Sequence, residues 1–258
     1  MARRFSSQIP NTSRDILLLR ISQGRLLAVS CDAAGGIGSK PRDRVRADAR
    51  LVGKMTARVA LMELLSIGAG PLAVVGTFAV EPKPTANLMI EGVRDELRHA
   101  RLSNLQLLCS SEKNVRVDQT GLGITAFGLV SDSGLMIGRS QDGDEVVAVG
   151  EPFVGREVIR AEKNHCAAQT RDVVKLRKNS SVRELIPVGS RGILYEARVI
   201  AKDSNLIFEP RRSPELDLEK SAGPATVLLC AVKRGDSTQV KRILGRKPCR
   251  NIGTLCRK

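Results

Sequence analysis

The chain has 258 residues, of which 42% are hydrophobic and only 2% aromatic, and its formal net charge is +15. This length allows one large or two modest domains with a buried core. The positive charge favours anionic partners, but the scarcity of aromatic side chains for stacking on bases argues against nucleic acid. The charge therefore indicates either a solvated basic surface or a phosphorylated small-molecule ligand.

The sequence gives no sign of export or of a membrane span. The N-terminal residues lack the apolar segment of a secretory signal, and no apolar run approaches the roughly 18 residues that a span needs. None of the six cysteines forms a Cys-x-x-Cys pair. We therefore expect a cytoplasmic protein with reduced thiols.

Hydrophobic periodicity predicts an α+β protein with two domains. We expect a flexible arm over 1–13, an N-terminal domain over 14–149 and a C-terminal domain over 150–258. The predicted elements of the N-terminal domain are strands at 14–21 and 25–31, a helix at 47–67, a strand at 72–80, a helix at 85–100, and strands at 105–109, 120–130 and 146–149. The predicted elements of the C-terminal domain are helices at 158–163 and 170–177, a strand at 182–186, a helix opened by the glycines of 188–201, strands at 206–208 and 227–232, a helix at 238–244 and a strand at 249–255.

A glycine-rich segment follows the second predicted strand. Asp32 can hold hydrated Mg²⁺, and Lys40 can neutralise phosphate charge. Between them, glycines allow backbone N–H groups to approach phosphate oxygens: Gly35, Gly36 and Gly38. The segment favours a metal–nucleotide site. On spacing alone, a glycine-rich turn without a ligand accounts for it equally well, because neither a Walker loop nor a dinucleotide fingerprint is present.

Three polar turns are further candidates for ligand binding. Glu112 and Asn114 directly follow a predicted strand, where ligand groups often lie in α/β-type domains. The segment Ser190-Arg191-Gly192 opens a predicted helix, whose N–H groups suit either a phosphate or an ordinary helix cap. Lys220-Ser221-Ala222-Gly223 forms another polar turn.

In this order, the motifs resemble the aminoimidazole ribonucleotide synthetase-like superfamily of ATP-using enzymes, which includes thiamine-monophosphate kinase. Arg14-Asp15 resembles its early Asp-Asp motif with only the second acid present, and the segment from Asp32 to Lys40 resembles its Asp-Gly-Val-Gly-Thr-Lys segment. Glu63, followed by Gly68-Ala69 and Pro71, resembles its Asp-x-x-x-x-Gly-Ala-x-Pro motif. Within the superfamily, the nearest resemblance is to the α-ribazole kinases, through stretches such as 57–63, 119–123, 188–197 and 220–226.

The resemblance implies two α+β domains, with mixed or antiparallel sheets flanked by helices, and a homodimer formed through the N-terminal domains. It implies transfer of the γ-phosphoryl group of ATP, with Mg²⁺, to the 5′-hydroxyl of a nucleoside, most closely α-ribazole in salvage of the cobalamin lower ligand. The metal ligands it implies are Asp15, Asp32 and Glu63, and the catalytic residues are Asp32, Lys40 and Glu63. The nucleotide-binding residues it implies are Gly35, Gly36, Gly38, Ser39, Glu112, Asn114 and Gly121. The acceptor-binding residues it implies are Ser190, Arg191, Gly192, Lys220, Ser221 and Gly223.

Two other functions remain open at this point. The first is another enzyme of the superfamily, such as thiamine-monophosphate kinase, a synthetase-like ligase or a hydrogenase-maturation enzyme. Cys256, near the end of the chain, weakly resembles the C-terminal cysteine of the hydrogenase-maturation enzymes. The second is a non-catalytic basic protein that binds nucleotides or RNA. For two of the acids, a structural role is the alternative to metal binding. Asp15 would cap a turn, and Glu63 would be a solvated charge at the edge of its helix.

Overall fold

The computed structural model describes residues 14–212 and 215–258. The arm predicted over 1–13 lies outside the described residues. In the first half, the strands are β1 (Leu17–Ser22), β2 (Arg25–Gly35), β3 (Ile37–Gly38), β4 (Val45–Arg46), β5 (Gly70–Phe78), β6 (Gln106–Ser111) and β7 (Gly121–Ser131). The helices are α1 (Ala49–Ser66) and α2 (Asn87–His99), with a π-helical turn at Pro82–Ala86 before α2.

The N-terminal domain is built on a mixed five-stranded sheet of order β1-β2-β7-β5-β6. Only β5 and β6 pair in parallel, because α2 supplies the crossover between them. Helix α1 begins at Asp48, whose carboxylate accepts hydrogen bonds from the N–H groups of Arg50 (2.9 Å) and Leu51 (3.2 Å). The chain turns out of the helix at Gly68, where φ is +87°.

Alternation along the strands separates two faces of this sheet. The face that carries Leu26 and Ala28 of β2 is buried under α1. The opposite face carries large apolar side chains that remain exposed, including Leu17, Leu19 and Ile21 on β1 and Leu108 on β6. One side of the N-terminal sheet is therefore apolar and uncovered by the described chain.

The C-terminal domain is built on a second five-stranded sheet, entirely antiparallel, of order β10-β12-β8-β11-β9. Its strands are β8 (Glu145–Gly150), β9 (Val182–Pro187), β10 (Ile207–Pro210), β11 (Val227–Val232) and β12 (Cys249–Cys256). Its helices are α3 (Arg156–Lys163), α4 (Thr170–Leu176), α5 (Gly192–Asp203) and α6 (Ser237–Leu244). Both faces of this sheet are buried, so its central strands are almost continuously apolar.

A single apolar core joins the two halves. Leu61 of α1 and Val74 of β5 belong to the same buried cluster as Leu185 of β9 and Leu228 of β11. A second cluster, around Ile193 and Ala197, lies between α5 and the other face of the second sheet. Helix α1 thus packs against both domains, which fixes the cleft between them.

Two local predictions are corrected by the hydrogen bonding. The strand predicted at 146–149 was assigned to the N-terminal domain, but β8 pairs with β11 and β12 in the second sheet. The chain was also predicted to leave its strand before Asp32, whereas β2 continues to Gly35 and pairs with β7 along its whole length. Among the described residues, no helix is long and apolar enough to cross a membrane.

Candidate functional site

A cavity of about 480 Å³, here called the interdomain cavity, lies between the two halves of the chain. Its walls come from the end of β2, one face of α1, the start of α3 and the turn at Gly223-Pro224. Most of the lining is aliphatic, with Leu51, Met55 and Ile159 as examples, and Asp32 is its one acidic group. Its size and mostly apolar lining suit the ring system of a small molecule, and Asp32 adds one carboxylate to the lining.

Asp32 reaches this cavity because of its register in β2. Ser30, two residues earlier, faces α1 and donates a hydrogen bond to the carbonyl of Ala60 (2.7 Å). Side chains alternate along a strand, so Asp32, two residues further on, lies on the same face of the sheet as Ser30. Asp32 lines the cavity beside α1. Burial raises the pKa of Asp32 to about 6, and the negative charge of Asp15 acts in the same direction. A backbone hydrogen bond from Ala33 opposes both effects.

A smaller polar cavity of about 150 Å³, here called the acidic cavity, is lined by carboxylates from both domains. Asp15 precedes β1, Glu63 belongs to α1, and Glu196 belongs to α5. Burial and then the negative charges of Glu196 and Asp15 raise the pKa of Glu63 well above its usual range. Burial and Asp15 raise the pKa of Glu196 to about 7. A cation at this place would relieve the repulsion among these groups.

The predicted metal ligands form a set of carboxylate donors. Asp15, Asp32 and Glu63 are hard oxygen donors that influence one another electrostatically, which fits the chemistry of Mg²⁺. Within 14–212 and 215–258, however, no three His, Cys, Asp or Glu side chains are placed to hold an ion by themselves. Mg²⁺ commonly takes only one or two carboxylates and completes its shell with phosphate oxygens and water, so the donor set remains compatible with it.

The structure assigns Lys40 and Gly38 contacts that the sequence did not indicate. The Lys40 ammonium forms an ion pair with Glu81, which also accepts a hydrogen bond from Thr85. A Cβ atom on Gly38 would lie 2.3 Å from Oγ1 of Thr120, so the glycine is required for packing. The Asp43 carboxylate, which accepts hydrogen bonds from the backbone N–H of Lys40 and of Thr120, holds this segment in place.

Other predicted nucleotide-binding residues line an open groove of about 470 Å³, here called the outer groove. Gly121 and Glu112 lie there, and Gly35 lines both this groove and the interdomain cavity. The Glu112 carboxylate accepts hydrogen bonds from the N–H groups of Asn114 (2.7 Å) and Val115 (3.1 Å), which lower its pKa. Glu112 and Asn114 therefore form a turn at the edge of the groove, away from the acidic cavity.

The predicted acceptor residues divide between the cavities. Ser190 and Arg191 line the acidic cavity, where the Arg191 guanidinium lies over the Tyr195 ring, 4.6 Å from its centre. Gly223 lines the interdomain cavity. Lys220 lines neither of them, and its ammonium pairs with Glu157 (2.8 Å). Gly192, next to Arg191, has a φ of +81°. A Cβ atom there would lie 2.6 Å from the carbonyl oxygen of Glu219.

Sequence reasoning missed Glu196, which belongs to the acidic cavity. The available signal was its position in α5, on the same helix face as the buried Ile193, Ala197 and Ile200. An acid on an apolar helix face, one turn after a glycine turn, indicates a functional carboxylate more strongly than an exposed acid does. By contrast, Cys256 lies within β12, paired with Ile207. Burial and Glu209 raise its pKa, which disfavours a nucleophilic thiolate.

No protein-family model matches the chain, and no curated protein matches its sequence. Solved structures do match its fold. The thiamine-monophosphate kinase from Stenotrophomonas maltophilia K279a is 17% identical, with a TM-score of 0.64 over 95% of this chain and 90% of that one. The hydrogenase maturation protein HypE in complex with ATP is 17% identical, with a TM-score of 0.65 over 98% of this chain and 83% of that one. T. maritima PurL complexed with AMPPCP is 16% identical, with a TM-score of 0.56 over 94% of this chain and 38% of that one.

These similarities confirm the fold expected from the resemblance. The two sheets, one mixed and one antiparallel, and the helices that flank them correspond to proteins that bind ATP or its analogue, at identities that show the fold alone. The chain has the aminoimidazole ribonucleotide synthetase-like fold.

Proposed function

We propose that the protein is an ATP-dependent phosphotransferase that acts on a hydroxyl group of a nucleoside. The observation that carries the proposal is the position of Asp32. This side chain lines an apolar cavity of nucleoside size and is electrostatically coupled to Asp15 and Glu63 of the acidic cavity. The apolar cavity would hold the base of the acceptor nucleoside and the carboxylates would hold the metal-bound phosphates of ATP, because phosphoryl transfer depends on positioning both substrates and neutralising phosphate charge. The solved complexes of HypE with ATP and of PurL with AMPPCP, which share the fold, support the choice of nucleotide.

In this proposal, Asp15, Asp32 and Glu63 hold Mg²⁺ together with the phosphates of ATP. When bound, the ion would supply positive charge to the transferring phosphoryl group. Glu196 approaches the same space from the second domain, with a pKa of about 7 that suits a group accepting the proton of the acceptor hydroxyl. Arg191, on the same wall, supplies positive charge toward the transferred group.

We propose α-ribazole, the benzimidazole nucleoside of the cobalamin lower ligand, as the acceptor. The support is the resemblance of the stretches 57–63, 119–123, 188–197 and 220–226 to the α-ribazole kinases, together with the aliphatic lining of the interdomain cavity. The alternative acceptor is thiamine monophosphate, because a thiamine-monophosphate kinase shares the fold over most of the chain.

The test is ADP release from Mg-ATP with α-ribazole, thiamine monophosphate and formylglycinamidine ribonucleotide supplied separately. The proposal expects ADP with α-ribazole alone, together with a product heavier by one phosphoryl group. Asp32→Asn should reduce kcat by about 100-fold, as loss of a metal-held electrostatic contribution does. Asp118→Asn is the matched control, because Asp118 lies on the surface outside both cavities. ATP binding without turnover on any acceptor would remove the kinase proposal.

We also propose that two copies of the chain associate through the uncovered face of the N-terminal sheet. Leu17, Leu19 and Ile21 project from one edge strand of that face, and Leu108 projects from the other. Exposed apolar faces of this extent are typical of protein interfaces. Pairing the two sheets face to face would remove these side chains from water.

A further inference from the structure

A third cavity, of about 410 Å³, lies on the side of the junction between the domains that is formed by the linker after β7. Four cationic side chains from three chain segments line this basic cavity: Arg139 of the linker, Arg177 and Lys178 after α4, and Arg183 of β9. The residues that line it include no acid. Cations at 177 and 178 interact favourably with the carbonyl groups at the C-terminal end of α4, which explains Arg177 and Lys178. Arg139 and Arg183 lie on other segments, so this explanation does not apply to them.

Among the described residues, one carboxylate faces the four cations of this cavity, and Arg139 and Lys178 are exposed to solvent. Arg139 and Arg177 donate to backbone carbonyls, those of Ser133 and Ala69, and neither forms an ion pair with a described carboxylate. Lys178 likewise has no carboxylate partner in the described part of the chain. Arg183 lies 3.5 Å from Asp144, and its buried Nε–H has no hydrogen-bond acceptor. Burial lowers the pKa of Arg177, whose guanidinium donates to the Ala69 carbonyl.

We propose that the basic cavity binds a small anion with at least two negative charges, carried by phosphate groups. Guanidinium groups offer paired N–H donors that match phosphate oxygens, and each of the three arginines retains N–H groups that the protein does not use. The volume accommodates a pyrophosphate or a phosphate ester. The site is separate from the interdomain and acidic cavities, since it shares no lining residue with either.

The position of the cavity gives the bound anion a consequence for the domains. Arg177, in the second domain, donates to the carbonyl of Ala69, in the turn between α1 and β5 (3.0 Å). The N–H of Met136 in the linker donates to the carbonyl of Ile67 (2.9 Å). An anion held between Arg177, Arg139 and Lys178 therefore bridges the linker and the second domain at the point where both contact the end of α1.

Methionines labelled at the methyl group can report binding at each cavity separately, because a different methionine lines the basic cavity and the interdomain cavity. Met136 lines the basic cavity and Met55 lines the interdomain cavity, while Met62 and Met89 are buried in the core and report that the fold is intact. Pyrophosphate is titrated into the full chain and followed by methyl NMR. We expect the Met136 signal to shift with a defined dissociation constant, separate from that of any shift at Met55.

Matched charge reversals then locate the site. Lys178→Glu and Arg139→Glu should each raise the pyrophosphate dissociation constant by about tenfold or more, as loss of a charge-assisted hydrogen bond does. Lys175→Glu makes the same change of charge one turn earlier on α4, outside the cavity, and should change the constant less than twofold. Equal weakening by Lys175→Glu and Lys178→Glu would overturn the proposal, as would an unshifted Met136 signal or one that moves only together with Met55. ATP, titrated in the same way, distinguishes a nucleotide from free pyrophosphate as the source of the phosphate groups.

Discussion

At the scale of single residues, the ionisation of Asp32 links the candidate site to stability. Its folded-state pKa of about 6 lies above its ordinary value of 3.8, mainly because it is buried. The folded state therefore retains a proton that the unfolded chain has already lost, and stability falls as the pH rises from about 4 to about 6. Above that range, the ionised group remains a fixed cost to the fold.

Asp32→Asn removes this dependence, because an amide does not titrate. We expect the Tm of the variant to exceed that of the wild type by about 5 °C more at pH 8 than at pH 4. The measurement is the thermal unfolding midpoint of both proteins across that pH range without added metal. Asp118→Asn, at the surface, should run parallel to the wild type. A constant difference between wild type and Asp32→Asn at all pH values would contradict the assigned burial.

The candidate site residues come from motifs along the chain, which carry no information on tertiary contacts. Asp15, Glu63 and Ser190 were separated in the sequence and meet in the acidic cavity. The ion pair between Lys40 and Glu81 could not be predicted, since the partners are 41 residues apart and their contact depends on the tertiary fold. Whether these residues bind ATP and metal stays a prediction.

At the scale of elements, α1 and α2 approach closely because glycines face each other. A Cβ atom on Gly92 would lie 1.8 Å from the carbonyl oxygen of Arg50, and one on Gly53 would lie 2.1 Å from that of Met89. Both obstacles are backbone atoms, which cannot move without separating the helices. These glycines are therefore required by helix packing, although neither lies in a turn.

Gly92→Ala tests this contact. In an exposed helix the change would stabilise by up to about 1 kcal/mol, but here the clash should reverse the sign and cost about 1–3 kcal/mol. Urea denaturation measures the difference. Glu91→Ala, at the exposed neighbouring position of the same helix, is the control and should leave the midpoint nearly unchanged. Stabilisation by Gly92→Ala would show that the helices lie further apart.

Most elements were predictable because their apolar periodicity is strong, and α1 was predicted to within two residues at each end. Membership of a sheet was not predictable for β8. Its residues fit any buried strand, and only non-local pairing with β11 and β12 determines which sheet they join. The short parallel pair of β3 and β4 was missed for the same reason, since two residues per strand carry no periodicity.

At the scale of the whole molecule, a buried ion-pair network joins the domains. The Arg58 guanidinium of α1 contacts Glu162 at the end of α3 (2.7 Å) and Glu96 of α2 (3.2 Å). Glu96 also accepts a hydrogen bond from Thr170 of α4 (2.6 Å). Burial would raise the pKa of Glu162, but hydrogen bonds and charge from Arg58 and Lys54 lower it to about 2.

Arg58→Met should therefore destabilise the protein by about 3–5 kcal/mol, because it leaves the buried Glu96 without its cation and Glu162 with Lys54 alone. Chemical denaturation gives the magnitude. Adding Glu96→Gln to Arg58→Met should recover part of the loss, whereas Arg50→Met, which removes an exposed pair with Asp95, should have little effect. If the double variant is no more stable than the single one, the unpaired Glu96 is not the source of the cost.

The proposed association of two chains makes a separate prediction about the uncovered sheet face. Leu19 lies in the middle of β1 with its side chain on that face, 42% exposed, while Leu18 points into the core. Leu19→Arg should leave the fold intact, because the substituted side chain is already in contact with water, but should place two like charges in a symmetric interface.

We expect a dimer for the wild type and a monomer for Leu19→Arg in sedimentation experiments at equal concentration. Leu88→Arg, at an exposed apolar position on α2 on the other side of the sheet, should remain dimeric. A wild-type monomer, or a dimer lost equally in both variants, would place the contact elsewhere or exclude it. Since the predicted interface lies on the opposite side of the sheet from α1, its loss should leave the interdomain and acidic cavities unchanged.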